Sequence, residues 1–351
     1  MARFEAATLK RFFAIVTVLV LAAVVSTAGA AIWAWQRLNE PFQTYSGRQV
    51  DLVIESGGSA RQILEQLESE WVIRSAWLAR LYLIYVLEDS PLKAGEYNFS
   101  EPMSPIEVIA KLTRGEVSSH SVTIVEGLDM EETAGALADA GFGRFDRLLE
   151  EMRKPSRIRD LDPEAGSLEG YLFPDTYFFA RGTTEAQIID TLVMTFRRRL
   201  DALGPVESSE LRRIVILASI VEREAQLDSE RALIAGVFAN RLALGIPLAA
   251  DPTVIFAIKL EGRWDGNIRR NDLRIESPYN TYIRAGLPPG AICSPGLASL
   301  QAAFHPEETD HLYFVSRNDG SHHFSRTLSE HNRAVLRYQK RQRSPPATGP
   351  K

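Results

Sequence analysis

Ile214-Val215-Ile216-Leu217-Ala218-Ser219-Ile220-Val221-Glu222-Arg223-Glu224 is an apolar run that ends in two carboxylates. Without glycine or proline and apolar on almost every side, it reads as a helix buried all round, which makes it the centre of a helical core. A buried helix has little reason to end in acid unless that acid is used or paired. At helical spacing Glu222 lies over Ala218 and Val215, so this reading expects an apolar wall that disfavours its charged form, the environment of a general acid. Glu224, two positions on, projects roughly 160° away. Spacing does not choose between the two glutamates, and two solvated carboxylates paired with Arg223 or Arg231 fit it equally well.

Helical patterning flanks this stretch, over Thr184–Leu203, Ser208–Gln226 and Ser229–Leu244, and Gly245-Ile246-Pro247 ends the last of these. Downstream, residues 251–306 read as loop-rich, punctuated by Pro278, Pro288-Pro289-Gly290 and Pro295-Gly296. Long ordered loops of this sort are usually functional. A strand follows at His311–Ser316, before His323-Phe324-Ser325. Upstream, Gly166–Ala180 is rich in aromatic residues around Pro174-Asp175, and Ser121–Val125, Gly127 and Met130–Ala140 read as strand, turn and helix.

Further towards the N-terminus, Val50–Glu55 reads as a strand and Gly57-Gly58 as a turn. Ser59 with Gln62, and Ser104-Pro105-Ile106-Glu107, are capping boxes. With a helix over Ala76–Val86 and a strand over Lys93–Phe99, these make a small α+β module. The fold class expected is therefore α+β: an N-terminal transmembrane helix, a small module at 49–116 and a larger mixed domain at 117–338.

From Phe12 to Trp35 no residue is charged, and a run of about 24 residues matches a hydrocarbon core of ~30 Å. Arg3, Lys10 and Arg11 precede it against Glu5 alone, which places residues 1–11 in the cytoplasm, 12–35 in the membrane and everything beyond outside. Ala28-Gly29-Ala30 also suits a signal-peptide cleavage site, but the apolar run is long for one. Residues 36–48 read as a polar linker. The basic stretch that ends in residues 339–351 reads as a disordered tail.

The chain is 45% apolar and 24% charged, an ordinary globular balance, and its net charge of −5 offers no footprint for nucleic acid. Its one cysteine, Cys293, excludes an intrachain disulfide and any cysteine-based metal knuckle. Five of the six histidines follow residue 300, and the neighbours His322 and His323 would point to opposite faces of a strand, so no metal site is expected. Nucleophile-elbow, phosphate-loop, dinucleotide and zinc-protease signatures are missing, which removes hydrolase triads and nucleotide sites.

Several segments together resemble the MltG/YceG-like family of endolytic murein transglycosylases. They are Leu168-Glu169-Gly170-Tyr171-Leu172-Phe173-Pro174-Asp175-Thr176-Tyr177, Ala218 to Glu224, Val237-Phe238-Ala239-Asn240-Arg241-Leu242 and Ala250-Asp251-Pro252-Thr253-Val254. They continue with Ser277-Pro278-Tyr279-Asn280-Thr281-Tyr282, Gly286-Leu287-Pro288-Pro289-Gly290-Ala291-Ile292, Ser294-Pro295-Gly296 and Leu312-Tyr313-Phe314-Val315. Cys293 departs from a commonly small residue and Ser294 from a frequent threonine. The resemblance puts the catalytic glutamate first after Ala-Ser-Ile-Val, at Glu222. It also implies a LysM-like, glycan-binding module between membrane helix and catalytic domain, a place that residues 49–116 occupy.

What the resemblance implies chemically is cleavage of the β-1,4 bond from N-acetylmuramic acid to N-acetylglucosamine in peptidoglycan, to leave 1,6-anhydro ends. One glutamate then serves, since it protonates the leaving oxygen and afterwards takes the proton of the muramyl C6 hydroxyl, which attacks intramolecularly. Asp175, Tyr177, Asp251, Thr253, Tyr279, Asn280 and Tyr282 are the expected groove and sugar-binding residues. No cofactor is called for. The implied partners are glycan strands, the peptidoglycan synthases and the inner membrane, with the catalytic domain in the periplasm. Two alternatives stay open: a lysozyme-type hydrolase, needing a second carboxylate ~5–9 Å away such as Asp251 or Asp175, and a non-catalytic glycan-binding scaffold.

Overall fold

The computed structural model describes residues 2–42, 49–55 and 57–340. Residues 43–48 of the expected linker and 341–351 of the expected basic tail lie outside the described residues. The chain forms two compact units, one of residues 1–120 with 180–182 and one of 121–179 with 183–351.

The first unit comprises α1 (Ala2–Asn39), β1 (Val50–Ile54), α2 (Ala60–Ser69), α3 (Ala76–Tyr85), β2 (Gly95–Phe99) and α4 (Pro105–Arg114). Within α1, Ile15–Asn39 is long and apolar enough to cross a membrane. The helix does not stop at Trp35. It takes in the first residues of the expected linker, where the Asn39 side chain donates to the Trp35 carbonyl at 2.8 Å, and Leu38 and Phe42 are buried. Both capping boxes close as expected, with Ser59 and Gln62 on α2 and Ser104 and Glu107 on α4 exchanging hydrogen bonds with each other's backbone. β1 and β2 pair antiparallel, Val50 opposite Phe99, and their inward side chains Leu52, Ile54, Tyr97 and Phe99 meet Leu64, Leu67 and Leu112 in one small core.

The second unit runs β3 (His120–Thr123), α5 (Met130–Asp139), α6 (Phe145–Met152), β4 (Thr176–Phe179), α7 (Glu185–Asp201), α8 (Ser208–Glu224), α9 (Arg231–Ala243), α10 (Asp251–Leu260), α11 (Leu297–Phe304), β5 (Tyr313–Ser316), β6 (His322–Ser325) and α12 (Leu328–Val335). As its composition demands, the 215–221 stretch of α8 is buried on all sides, with Val215, Ala218, Ile220 and Val221 fully closed from solvent. α9 and α11 pack on it. β3 pairs with β4, and β5 pairs antiparallel with β6, Ser316 opposite His322.

The segment 251–306 is less loop-rich than its prolines suggest. Pro252 occupies the first turn of α10, where a missing N–H costs nothing, and the apolar Val254, Phe256, Ala257 and Ile258 behind it are buried. Gly296 is the N-cap of α11 rather than part of a loop. One left-handed glycine ties this region to the core. Gly170 has φ of 89°, and a Cβ there would lie 2.5 Å from the Ala291 Cβ and 2.8 Å from a Val215 methyl.

Candidate active site

α8 stops abruptly because its C-cap, Ala225, is already extended (φ −77°, ψ 127°). Glu222 and Glu224 therefore leave the last turn in different directions, and their surroundings are opposite in kind. Glu222 does not meet the expected apolar wall. Arg231, at the start of α9, donates from Nη1 to its Oε1 at 3.2 Å, and the Gly296 N–H donates to its Oε2 at 3.0 Å. Arg231 is held in turn by Asp228 at 3.0 Å and the Ser299 hydroxyl at 2.6 Å, and the Glu222 and Arg231 side chains are only 6% and 10% exposed. The loop that brings Gly296 here is docked on α8 as well: the Ile292 N–H donates to the Ser219 hydroxyl at 3.1 Å and the buried Cys293 thiol to the Ser219 carbonyl at 3.3 Å. Glu222 is thus a closed junction between α8, α9 and the α11 N-terminus.

Glu224 instead lines a pocket of about 490 Å³ together with Arg241, Asp251, Tyr282, His322 and His331. It makes no hydrogen bond to another described residue. Burial, and then the Asp251 charge, push its carboxyl up to about 8, against a smaller opposing effect of Arg241, so the acid is protonated at neutral pH. Asp251, the first residue of α10, accepts from the Tyr282 hydroxyl at 2.5 Å, and burial with this bond holds the tyrosine proton on. Arg241 donates from Nε to the Leu312 carbonyl at 2.7 Å and from Nη1 to that of Leu248 at 2.6 Å, with its guanidinium over the Tyr313 ring. Burial pushes that guanidinium below its usual range. His331 stacks on Tyr313, its Nδ1 buried without a partner among the described residues, and burial favours the neutral ring.

Of the expected sugar-binding residues, the structure brings only Asp251 and Tyr282 together. Thr253 is fully buried, its hydroxyl between the Ala250 carbonyl at 2.7 Å and the Thr281 hydroxyl at 2.8 Å. Asn280 is fully buried too and spends its amide on the carbonyls of Leu273 and Ile275. The Tyr177 hydroxyl donates to the Phe173 carbonyl and its ring stacks on Phe179. All three thus turn polar groups onto protein partners. Asp175 pairs with Arg199 at 3.1 Å beside the β3–β4 pair, and Tyr279 lines a separate pocket of about 310 Å³ with Glu169, a carboxyl that burial pushes up to about 8. Arg241, His322 and His331 line the Glu224 pocket without having been expected there. The signal available in the sequence was a pair of carboxylates ending an apolar helix, between which spacing does not choose. Among the described residues no cluster of three His, Cys, Asp or Glu could hold a metal.

Comparison with known proteins gives a consistent answer. Residues 52–337 match the model of the YceG-like family. The chain is 32% identical to the endolytic murein transglycosylase of Bacillus subtilis over 88% of its own length and 90% of that protein's. It is 27% identical to the endolytic murein transglycosylase of Streptococcus pneumoniae serotype 2, over 85% of its own length and 60% of the relative's. The crystal structure of a yceG-like protein from Listeria monocytogenes is similar with a TM-score of 0.52 and 32% identity, over 82% of this chain and 99% of that one.

Proposed function

Because this chain belongs to the YceG-like family, we propose that it cleaves peptidoglycan glycan strands as an endolytic murein transglycosylase, with Glu224 rather than Glu222 as its acid and base. The observation that carries the residue assignment is the setting of Glu224: a carboxyl without a hydrogen-bond partner among the described residues, in a pocket of about 490 Å³, where burial and the Asp251 charge push its titration up to about 8. A general acid needs a proton to give and room for the bond it attacks. Glu222 lacks that room, because Arg231 and the Gly296 N–H occupy its oxygens.

In its simplest form the reaction needs this one group. Glu224 protonates the oxygen leaving the muramyl C1, the C6 hydroxyl attacks C1 as that bond breaks, and the new Glu224 carboxylate takes the C6 proton. The product is a 1,6-anhydro end. Asp251 and Tyr282 line the same pocket, where the hydroxyl and carboxylate suit sugar hydroxyls and the acetamido group, and the Asp251 charge keeps the proton on Glu224.

The remaining assignments rest on the sequence pattern for the anchor and on the family resemblance for the module and partners. α1 serves as a single-pass anchor in the inner membrane, supported by the apolar Ile15–Asn39 and by the basic residues before it, with residues 1–11 cytoplasmic and the catalytic domain, 117–338, periplasmic. Residues 49–116 act as a LysM-like glycan-binding module, and the peptidoglycan synthases are the partners such an anchor would keep close.

The test is mass spectrometry of the products that the full chain in detergent makes from purified glycan strands. Anhydromuramyl ends made by the parent and by Glu222→Gln, but not by Glu224→Gln, are the expected result. Activity that survives in Glu224→Gln and is lost in Glu222→Gln would overturn the residue assignment. A second reading has one observation in its favour, the presence of Asp251 as a second carboxylate in the pocket: a hydrolase of the lysozyme type, which would leave reducing ends instead.

A further inference from the structure

The pocket contains an imidazole that the one-glutamate scheme leaves unused. His322, the first residue of β6, lines it with a side chain only 7% exposed. Its Nδ1 lies 2.7 Å from Oε2 of Glu230, whose own side chain is 15% exposed and belongs to the short helical turn Asp228–Glu230. The backbone N–H of His322 donates to the same carboxylate at 3.0 and 3.1 Å. Glu230 is therefore an acceptor on every count, so Nδ1 carries a hydrogen, and in the neutral ring Nε2 is the acceptor. Nε2 has no partner among the described residues. Phe314, edge-on at 5.4 Å, fixes the ring plane. A carboxylate that orients an imidazole whose second nitrogen is free is the arrangement by which enzymes position a base. The other titratable and charged groups that face it across the pocket are Glu224 from α8, Arg241 from α9, Asp251 from α10, His331 from α12 and Tyr282.

We propose that His322, oriented by Glu230, accepts the proton of the attacking hydroxyl, so that acid and base work is divided between Glu224 and His322. The proposal rests on the Glu224 reading and changes only its second step. Glu224 gives its proton to the leaving oxygen as the C1–O4 bond breaks; the C6 oxygen forms the C1–O6 bond and passes its proton to Nε2. The imidazolium then returns a proton to the Glu224 carboxylate through solvent, and both groups are reset. His331 lacks the orienting carboxylate and is not assigned this part.

The experiment measures kcat and KM of the full chain in detergent on glycan strands for His322→Ala, His322→Gln, Glu230→Gln and Glu224→Gln, with and without added imidazole. Expected are a fall in kcat of about 100-fold or more for both His322 variants with KM within about threefold, and partial recovery by imidazole in the alanine variant, whose cavity admits it, but not in the glutamine variant. Glu230→Gln should lose less. If His322→Ala does not fold, a kcat-only loss in His322→Gln with unchanged melting temperature supports the proposal. Turnover within about threefold of the parent in either folded variant, or a loss in a folded His322→Ala that imidazole leaves untouched, overturns it. Activity that persists in Glu224→Gln but not in the His322 variants would instead sink the Glu224 reading and leave His322 standing.

Discussion

Replacing Glu224 by glutamine should change how the stability of the second unit responds to pH, by an amount that follows from the proton the native carboxyl holds. That carboxyl titrates at about 8 in the folded protein against a reference value of 4.5. Between these values the folded state keeps a proton that the unfolded chain gives up. The folded state then binds more protons, so stability falls as pH rises through the window, after being fully present below 4.5. A single group contributes at most about 1.4 kcal/mol per pH unit, so raising the pH from about 5 to about 7 should cost the parent on the order of 2 to 3 kcal/mol that Glu224→Gln does not lose. Against a domain stability of about 5 to 15 kcal/mol this is readily measured. Glu169, also at about 8, contributes equally to both proteins and cancels. Urea unfolding followed by Trp264 reports the second unit alone once Trp33, Trp35, Trp71 and Trp77 are phenylalanine, since no other tryptophan lies beyond residue 120. Parallel stability curves for parent and variant from pH 5 to 7 would refute the protonated Glu224 and with it the general acid.

Asp251→Asn removes the charge that helps keep Glu224 protonated, so the alkaline limb of the kcat/KM profile should move to lower pH; an unmoved limb would show that Asp251 does not act on the acid. Glu222→Ala removes the buried carboxylate partner of Arg231, which keeps Asp228 and Ser299, and should destabilise the second unit by about 1 to 3 kcal/mol, while whatever activity remains below the lowered melting temperature still yields anhydro ends. Gly170→Ala must fit a left-handed residue and a methyl 2.5 Å from Ala291, and should cost about 1 to 3 kcal/mol or more in urea unfolding; a neutral result would mean that the contact between this turn, α8 and the Ala291 loop is loose.

Local rules wrote much of this protein into its sequence. The capping boxes at Ser59 and Ser104 close as read, because their partners lie three residues away and need nothing from the rest of the fold. α8 is buried because eight successive residues leave it no polar face, and α1 is legible from an uncharged run alone. The site was legible in its parts but not in its membership. Periodicity separates Glu222 from Glu224 by angle, yet the angle has no meaning until something stands at each end of it. Arg231 and Gly296 arrive at Glu222 from α9 and the α11 N-terminus, whereas Asp251, Tyr282, His322 and His331 converge on Glu224 from four later segments. The same holds within one motif: Asp251 faces the pocket while Thr253, two residues on, turns inwards to Thr281. Which carboxylate keeps its proton and which is tied into an ion pair depends on burial and on charges brought from distant segments, and only the folded chain supplies those.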